Sequence, residues 1–343
     1  MKAARLHDYA EERLRLDEVD RPTVSGPHDI VVRIGGAGVC RTDLHVLEQI
    51  WKDTLNPTLP YTLGHENAGW VEEVGSAVTT VAPGDAVILH PLATCGVCAG
   101  CRRGEDMYCT AGLFPGLNID GGFAEYVRTS ERAAIRLAGD LQPADVAPFA
   151  DAGITAYRAA KKAARQLAPG TTCVVIGAGG LGHIAIQCLK ALTPTELIVV
   201  DTSEAARKLA EELGANRLVD AATGDPVEVV RAITGGAGVE AVIDFVGEHG
   251  TTAQGPAMLT QGGTYYVVGY GGRVDIPALQ VIFNEINVVG NLVGNYTELT
   301  ELMALAVAGR VRLRSQTYPL DQTNDALADL AAGRVQGRAV LVP

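Results

Sequence analysis

The chain has 343 residues, of which 47% are hydrophobic and 20% charged, so it is long enough and apolar enough for two domains with buried cores. Its net charge of -12 comes without any basic run, which argues against nucleic acid as a partner because phosphate binding needs clustered Lys and Arg. The first residues, Met1 to Arg5, lead into polar sequence without an apolar signal region, so we expect a cytoplasmic protein.

The first part of the chain, residues 1–152, has the pattern of an irregular β domain. Its short apolar runs, such as Ile30–Ile34 and Ala86–Leu89, are separated by Gly and Pro. Runs of this kind are typical of β-strands joined by turns. We therefore expect a β-rich domain over this range.

From residue 153 the pattern changes to strands that alternate with helices. The predicted strands are Cys173–Ile176, Leu197–Val200, Ala241–Phe245 and Tyr265–Val268, and the predicted helices lie near 181–192 and 203–213. This alternation predicts βαβ units with a parallel sheet over residues 153–294. The tail, 295–343, has a predicted helix at Glu298–Ala308 and a predicted strand at Ala339–Val342, and we expect it to return to the first domain.

Two uncharged stretches, 166–189 and 249–272, are long enough to span a membrane. They contain five and seven glycines, respectively, together with polar residues. Such composition is unfavourable in a membrane helix. We therefore expect no membrane partner.

A glycine-rich loop follows the strand that ends at Ile176. Its sequence is Gly177-Ala178-Gly179-Gly180-Leu181-Gly182, the G-x-G-x-x-G pattern between a strand and a helix. The first glycine allows the tight turn, the second lets the backbone approach a pyrophosphate, and the third lets helix and strand pack closely. The pattern predicts a dinucleotide site, and the alternative is a glycine-rich turn without a ligand.

An acidic residue follows the loop at the distance that a dinucleotide site needs. Asp201 ends the second predicted strand, nineteen residues after Gly182. A carboxylate there accepts hydrogen bonds from ribose hydroxyls and repels a 2′-phosphate, which favours NAD over NADP. Arg207 lies six residues further on and would assist a phosphate only if that carboxylate were absent.

Four of the seven cysteines lie within fifteen residues: Cys95, Cys98, Cys101 and Cys109. Four thiolates at such short spacings close a tetrahedral zinc site and leave no room for water, which is typical of a structural zinc. An iron–sulfur cluster and reduced free thiols are the alternatives. No other ferredoxin-like feature accompanies the cysteines, and four clustered thiols would be open to oxidation.

Two further segments carry residue types that suit a catalytic metal. They are Gly38-Val39-Cys40-Arg41-Thr42-Asp43-Leu44-His45 and Gly64-His65-Glu66-Asn67-Ala68-Gly69, and Gly75 and Val78 follow the second. On spacing alone, Cys40 and His65 are equally well explained as packing residues. With these segments, essentially the whole chain resembles the zinc-dependent medium-chain dehydrogenase/reductase family, whose zinc signature matches the segment from Gly64 to Val78.

The resemblance implies an α/β fold with a GroES-like β-rich catalytic domain and a Rossmann domain built on a doubly wound parallel sheet. It also implies a catalytic zinc held by Cys40 and His65. The third ligand of the family is often Cys and in one branch Asp, and Asp151 occupies the matching position here. Glu66 matches a glutamate that enters or leaves the zinc shell. An Asp in place of Cys keeps the charge but removes a soft donor, so we expect weaker metal retention and a more Lewis-acidic zinc.

The resemblance further assigns roles in the reaction of an NAD-linked alcohol dehydrogenase. Thr42 matches the hydroxyl that binds the substrate oxygen, and His45 matches the base at the outer end of the proton relay. Asp43 matches the carboxylate that orients His65. Arg41 matches a contact to the cofactor pyrophosphate. The alternative for these polar residues is an ordinary loop.

The substrate is implied less sharply. The resemblance is closest to bacterial and archaeal enzymes that act on secondary and aromatic alcohols and on their ketones or aldehydes. The segments that match the family's substrate pocket supply four apolar residues, which favour a small hydrophobic alcohol over a polyol. They are Trp51, Leu92, Phe114 and Leu292, and each is equally well explained as core. The implied assembly is a homotetramer or a dimer.

Three alternatives compete with this interpretation. The first is another zinc enzyme of the same fold, such as a polyol or threonine dehydrogenase. The second is a non-catalytic member that serves as a binding or structural protein. The third, a zinc-free quinone reductase, is disfavoured because the candidate ligands and the four-cysteine segment are all present.

Overall fold

The computed structural model describes residues 1–50, 55 and 57–343. They divide into two compact units. One comprises Met1–Ile154, Gly294–Val307 and Leu313–Pro343, and the other comprises Thr155–Val293 and Ala308–Arg312. No helix in the described part of the chain is both long enough and apolar enough to cross a membrane.

Sixteen strands are found in the described residues. They are β1 (Lys2–Leu6), β2 (Arg15–Glu18), β3 (Asp29–Val39), β4 (Tyr61–Thr62), β5 (Glu66–Val74), β6 (Ala86–Leu89), β7 (Tyr126–Ser130), β8 (Ala134–Arg136), β9 (Thr172–Ile176), β10 (Glu196–Asp201), β11 (Arg217–Asp220), β12 (Val239–Asp244), β13 (Leu259–Val267), β14 (Asn287–Gly290), β15 (Ser315–Pro319) and β16 (Arg338–Val342).

The helices of the same residues are mostly short. They are α1 (Arg41–Leu47), α2 (Ala99–Arg102), α3 (Pro143–Val146), α4 (Ala152–Ala164), α5 (Gly182–Leu192), α6 (Glu204–Glu212), α7 (Pro226–Ile233), α8 (Thr251–Met258), α9 (Ala278–Asn284), α10 (Tyr296–Val307) and α11 (Thr323–Ala331). Single 3-10 turns lie at Tyr9–Glu11, Asp106–Tyr108, Glu131–Ala133, Ala147–Ala150 and Leu320–Gln322.

The first unit is built on a seven-stranded sheet with the order β15-β16-β3-β5-β6-β8, in which β7 also pairs with β3. A smaller sheet has the order β2-β1-β4. Strand β16 comes from the tail of the chain and pairs antiparallel with the end of β3. The tail therefore returns to the sheet of the first unit.

The central pair, β3 and β5, brings two distant segments together because glycines replace side chains at the contact. A side chain at Gly69 would overlap the carbonyl of Arg33, and one at Gly38 would overlap the carboxylate of Glu66. The pair is antiparallel, and Gly38 lies opposite Glu66. The register therefore places the residue after β3 next to the residue before β5, which are Cys40 and His65.

The second unit is a six-stranded parallel sheet with the order β11-β10-β9-β12-β13-β14. The strand order reverses between β9 and β12, so this is a doubly wound sheet with its switch point beside β9. Val174, Val175 and Ile176 of β9 are all at most 3% exposed. A continuous buried apolar run is what a parallel strand covered on both faces requires.

The predicted α/β class, with a β-rich unit and a doubly wound parallel sheet, is confirmed. Strand β13 begins at Leu259, earlier than the predicted Tyr265, because Gly262 and Gly263 interrupt the apolar pattern within it. Helix α9 was not predicted from the sequence. None of its residues is buried, and its apolar side chains Leu279, Ile282 and Phe283, which have the i, i+3, i+4 spacing of one helix face, are exposed.

Candidate functional site

Four potential metal ligands converge at one end of the β3–β5 pair: Cys40, His65, Glu66 and Asp151 each offer one ligand atom, and these atoms all lie within 4.8 Å of one another. Cys40 precedes α1, His65 precedes β5, and Asp151 lies between a 3-10 turn and α4. Cys40, His65 and Glu66 are at most 6% exposed. The fold thus brings the three predicted zinc ligands and the predicted neighbouring glutamate into one buried cluster.

Asp43 holds this cluster in position from the first turn of α1. Its Oδ2 accepts the backbone N–H of Cys40 at 2.8 Å, and its Oδ1 lies 3.3 Å from His65 Nδ1. Burial lowers the pKa of His65, but the charge of Asp43 and the closeness of the Asp151 and Asp43 carboxylates, 3.5 and 3.3 Å from its ring nitrogens, raise that pKa well above its ordinary value. Because Asp43 lies at Nδ1, its carboxylate makes the opposite ring nitrogen, Nε2, a stronger donor to a metal.

The donor set fits a zinc ion. His65 Nε2 and Asp151 Oδ1 are buried and have no hydrogen-bond partner in the described structure. Buried polar atoms are normally satisfied, so these atoms need a partner such as a metal. One thiolate, one imidazole and one carboxylate give two negative charges, which balance a divalent cation, and three protein ligands leave a tetrahedral position open, as catalytic zinc requires.

Glu66 has both carboxylate oxygens engaged. Its Oε1 accepts a hydrogen bond from the backbone N–H of Ala152 at 3.1 Å, and its Oε2 accepts one from Nη2 of Arg338. Burial raises the pKa of Glu66, although the charges of Arg338 and His65 act in the opposite direction. Glu66 is therefore held beside the other three residues by a contact at each of its oxygens.

Arg338 was not found by reasoning from the sequence. It is the first residue of β16, is 3% exposed, and stands next to Ala339, which pairs with Val39. Burial lowers the pKa of Arg338, but the charge of Glu66 raises it above its ordinary value. The one available signal was a charged residue at the start of an otherwise apolar strand.

The predicted relay residues lie on α1 beside this cluster. Thr42 is half-buried and His45 is 9% exposed. Residues three apart share a helix face, so Thr42 and His45 lie on the same side of α1. Arg41, the predicted pyrophosphate contact, is exposed.

The predicted pocket residues are distributed unevenly. The ring of Phe114 meets the ring of His65 edge-to-face, with 5.9 Å between centroids. Leu92 is half-buried in the same unit, whereas Leu292 belongs to the second unit and is 55% exposed. Trp51 lies outside the described residues. Phe114 is thus placed against a predicted metal ligand.

The four clustered cysteines form a second group whose sulfur atoms also lie within 4.8 Å of one another. Cys98 and Cys101 are 3.5 Å apart, and Cys95 and Cys109 are 3.6 Å apart. A tetrahedral zinc with Zn–S bonds of about 2.3 Å requires S···S distances of roughly 3.8 Å, which these approach. Backbone hydrogen bonds to the sulfur lower the pKa of Cys98 to about 5, whereas burial raises the pKa of Cys101 to about 12. A zinc ion bound here would require every one of these sulfurs as a thiolate.

The glycine loop has the geometry that a dinucleotide site needs. Gly177 has a φ of 85°, a conformation that favours glycine. A side chain at Gly182 would overlap the carbonyl of Gly177, whereas one at Gly179 would meet nothing within 4 Å. Gly182 thus permits close packing, while the backbone at Gly179 faces open space at the start of α5, the eleven-residue helix whose N-terminus attracts phosphate.

Asp201 is tied directly to this loop. Its Oδ2 accepts the backbone N–H of Ala178 at 2.7 Å, and its Oδ1 accepts that of Ser203 at 2.7 Å. Arg207 donates to the backbone carbonyl of Asp201 and to Asp220, each at 2.8 Å. Asp201 is therefore fixed at the loop, and Arg207 is engaged in holding the strand end beside it.

The comparisons with known proteins agree with this geometry. Residues 26–139 match the alcohol dehydrogenase GroES-like domain, and residues 180–308 match the zinc-binding dehydrogenase family. An NAD-dependent alcohol dehydrogenase of Sulfurisphaera tokodaii is 38% identical, with 100% of both chains covered. A D-arabinose 1-dehydrogenase (NADP(+)) of Saccharolobus solfataricus is 36% identical over 100% of this chain and 97% of its own.

Among solved structures, an alcohol dehydrogenase from Aeropyrum pernix superimposes with a TM-score of 0.97 and 52% identity, and the alignment covers 100% of both chains. The match extends over both units, so the β-rich unit is the GroES-like domain and the parallel sheet is the Rossmann-type domain. The chain belongs to the zinc-binding alcohol dehydrogenase family with a GroES-like domain, the zinc-dependent medium-chain dehydrogenase/reductases.

Proposed function

We propose that this protein is an NAD-dependent alcohol dehydrogenase that oxidises small hydrophobic alcohols, secondary or aromatic, reversibly to ketones or aldehydes. The observation that carries the proposal is the buried set of Cys40, His65 and Asp151, whose donor atoms fit an open zinc site. The names of the relatives, NAD-dependent alcohol dehydrogenase among them, support it.

The residues of the first unit would have separate roles in metal binding and in proton transfer. Cys40, His65 and Asp151 would hold the metal, with Asp43 orienting His65. Bound zinc supplies a Lewis acid that lowers the pKa of an alcohol, and bound NAD supplies the acceptor for a hydride. Thr42 receives the hydrogen bond of the substrate hydroxyl, and the proton passes on towards His45 at the outer end of the relay.

A second zinc has a structural role in this proposal. Cys95, Cys98, Cys101 and Cys109 would hold it in a closed four-sulfur site, which stabilises the segment around α2 and takes no part in the reaction. Four thiols that must stay reduced to bind metal support a reducing compartment such as the cytoplasm.

The second unit would bind NAD, with Gly177 to Gly182 receiving the pyrophosphate and Asp201 the adenosine ribose. A carboxylate held at 2.7 Å from the loop backbone supports NAD over NADP, because a 2′-phosphate would add negative charge beside it. The charge of Arg207 is paired with Asp220, so it would attract that phosphate only weakly.

A sugar or polyol dehydrogenase is the second candidate, favoured by the similarity to a D-arabinose 1-dehydrogenase. The edge-to-face contact between Phe114 and His65 supports the hydrophobic alcohol instead, because it places an apolar ring beside a candidate zinc ligand.

The test is a panel of initial rates with NAD and with NADP. The substrates are short primary and secondary alcohols, benzyl alcohol, pentoses, polyols and threonine. We expect the highest kcat/KM for a secondary or aromatic alcohol with NAD, while a preference for pentoses or polyols would favour the second candidate. Cys40→Ala should be inactive and should bind one zinc ion fewer per chain than the parent. The control is Cys173→Ala, at a buried cysteine of the second unit, which should keep the activity and the zinc content of the parent.

We also propose a homo-oligomer, a tetramer or a dimer. Leu279, Ile282 and Phe283 of α9 are 66–70% exposed, and β14 is the edge strand of its sheet. An open edge beside exposed apolar side chains suits a second copy of the same strand and helix.

Sedimentation should give a mass of two or four chains of 35.9 kDa. Phe283→Lys should lower it, because a charge would be buried in the apolar contact. The control is Val229→Lys, at a 40% exposed valine of the same unit, and it should leave the mass unchanged. A monomeric parent protein would contradict the proposal.

A further inference from the structure

The hydroxyl of Tyr61 is buried and makes no hydrogen bond. Tyr61 is the first residue of β4, is 3% exposed, and pairs with Leu6 of β1. Its hydroxyl is the only one among the buried side-chain atoms of the described residues that lack a hydrogen-bond partner. Buried polar groups are nearly always hydrogen-bonded, so a phenylalanine would suit a purely apolar surrounding better. The presence of a hydroxyl at this position therefore requires a physical reason.

Tyr61 belongs to the apolar cluster into which helix α1 packs. That cluster includes Leu44 of α1 and Leu63, which follows Tyr61 by two residues. Asp43 precedes Leu44, and His65 follows Leu63 by two residues. Asp43 and His65 are at most 1% exposed. The tyrosine is thus packed among the direct neighbours of the pair formed by Asp43 and the candidate zinc ligand His65.

The charges of this pair act on the hydroxyl of Tyr61. Burial raises the pKa of Tyr61, Tyr9 and the charge of Asp43 raise it further, and the charge of His65 lowers it. Charges influence one another strongly only over short distances with little water between them. The hydroxyl therefore stays protonated, and it lies within electrostatic reach of Asp43 and His65.

Asp43 has fewer hydrogen-bond donors around it than a buried carboxylate needs. Its Oδ2 accepts the backbone N–H of Cys40 at 2.8 Å. Its Oδ1 lies 3.3 Å from Nδ1 of His65, but this buried oxygen accepts no hydrogen bond from the described residues. A carboxylate offers about four acceptor sites, and leaving them empty in the interior is costly. A buried donor without an acceptor and a buried acceptor without a donor thus belong to one region.

We propose that Tyr61 positions the metal ligand His65 through Asp43, by way of one buried water molecule that accepts the Tyr61 hydroxyl hydrogen and donates to Oδ1 of Asp43. A buried water typically has about three polar partners, and these two atoms supply two of them. The carboxylate held in this way fixes the orientation of the imidazole. Tyr61 is a positioning residue, because it touches neither metal nor substrate. The inference rests on the proposed function, since it requires that Cys40, His65 and Asp151 bind zinc.

The test is the rate at which a chelator removes each zinc ion from the zinc-loaded protein. Tyr61→Phe removes only the hydroxyl. Groups directly behind a zinc ligand change metal affinity by about ten- to a hundred-fold, and Tyr61 acts one step further away, so we expect the more labile zinc ion to be lost about five-fold faster. The zinc ion of the four cysteines is the internal control, and its loss should stay within about two-fold of the parent rate. A general loosening of the first unit would accelerate the loss of both zinc ions.

Tyr318→Phe is the matched control. Tyr318 is a 6% exposed tyrosine of the same unit, and its hydroxyl donates to Asp329 at 2.8 Å. The substitution removes a hydroxyl that is already hydrogen-bonded within the fold. It should therefore lower the thermal stability and leave the loss of both zinc ions as slow as in the parent.

Asp43→Asn tests the route from Tyr61 to the metal. If Tyr61 acts through the carboxylate, adding Tyr61→Phe to Asp43→Asn should change the rate of zinc loss by less than about two-fold. An undiminished five-fold effect in that background would overturn the route through Asp43. A crystallographic electron-density map of the zinc-loaded parent should show the water between Tyr61 and Oδ1 of Asp43, and a map without it would overturn the proposal.

The outcomes separate this role of Tyr61 from the proposed function. A parent protein that holds no zinc at Cys40, His65 and Asp151 would overturn the proposed function and the role of Tyr61 with it. A parent that holds two zinc ions, together with a Tyr61→Phe variant that loses both at the parent rates, would overturn the role of Tyr61 alone. Equal acceleration of both losses in Tyr61→Phe would also overturn it.

Discussion

Replacing Asp201 by Ser should remove the preference for NAD by weakening NAD rather than by strengthening NADP. The carboxylate has a partner on each side, the N–H of Ala178 in the glycine loop and the N–H of Ser203, both at 2.7 Å. It therefore fixes the loop in addition to any contact with the ribose. A shorter side chain at this position loses both kinds of interaction.

The magnitude follows from the hydrogen bonds that are lost. A bond to a charged acceptor contributes about 1.5–3 kcal/mol, and each 1.4 kcal/mol is tenfold in affinity. Loss of the bond from Ala178 loosens the pyrophosphate cradle for both cofactors, by about ten- to a hundred-fold. NAD loses its ribose contact as well, by a similar factor, whereas NADP is relieved of repulsion between its phosphate and the carboxylate.

The assay is kcat/KM with each cofactor at saturating alcohol, together with Kd values for NAD, NADP and AMP. The kcat/KM of Asp201→Ser should be lower than that of the parent by about a hundred-fold or more with NAD, and by much less with NADP. Asp201→Asn keeps one acceptor oxygen, so its kcat/KM with NAD should lie between those of Asp201→Ser and the parent. Asp220→Asn is the matched control, because it removes a negative charge one strand away and leaves the carboxylate of Asp201 intact.

Two results would refute this reasoning about Asp201. A parent protein that uses NAD and NADP equally would show that the carboxylate does not meet the ribose. An Asp201→Ser variant that binds AMP as tightly as the parent does would show that the hydrogen bond from Ala178 contributes nothing to the cradle.

Three further predictions concern the first unit. Thr42→Ala should lower kcat by about 10²- to 10⁴-fold and leave Kd for NAD within about two-fold, and Thr42→Ser should be much milder; normal turnover in Thr42→Ala would remove Thr42 from the relay. The parent should hold two zinc ions per chain, and Asp151→Cys should slow loss of the more labile one to a chelator by about ten-fold, since thiolate is the softer donor; an unchanged rate would exclude Asp151 as a ligand. Burial raises the pKa of Glu131, but hydrogen bonds from His28, Thr79 and Thr80 bring it down to about 2, so its contribution to stability is present above its unfolded pKa of about 4.5 and is lost as the pH falls towards 2. The free energy of unfolding of Glu131→Gln in urea should therefore differ most from that of the parent near pH 6, and the difference should shrink below about pH 4.5 and become small only near pH 2. A pH-independent difference would contradict the assignment.

Features confined to one stretch of chain could be predicted from the sequence. The glycine loop and the four-cysteine segment each carry their spacing within about fifteen residues, so a strand boundary and a ligand set can be read directly. The predicted strand Cys173–Ile176 matches β9 to within one residue. Its apolar run is continuous because both faces of the strand are covered.

Features that depend on pairing between distant segments could not be predicted. The pair formed by Tyr265 and Asp244 joins neighbouring strands, and a tyrosine in an apolar strand gives no sign that its hydroxyl meets a carboxylate. Helix α9 gives the opposite difficulty. Its apolar side chains have helical spacing, but the helix is only seven residues long, too short for the pattern to distinguish it from a strand, and it has no core to face in the single chain.

Arg338 connects these points to the chemistry of the metal cluster. Cys40, Asp43, Glu66 and Asp151 bring four negative charges into one mostly buried region, and a divalent metal balances only two of them. Arg338 adds one positive charge from a strand 272 residues away, and it does so because β16 pairs with the end of β3. An unpaired buried charge is costly, so the pairing of the tail with the first unit and the electrostatics of the metal site depend on each other. A sequence motif can therefore identify the ligands, whereas their charge balance is set only when the chain returns to complete the sheet.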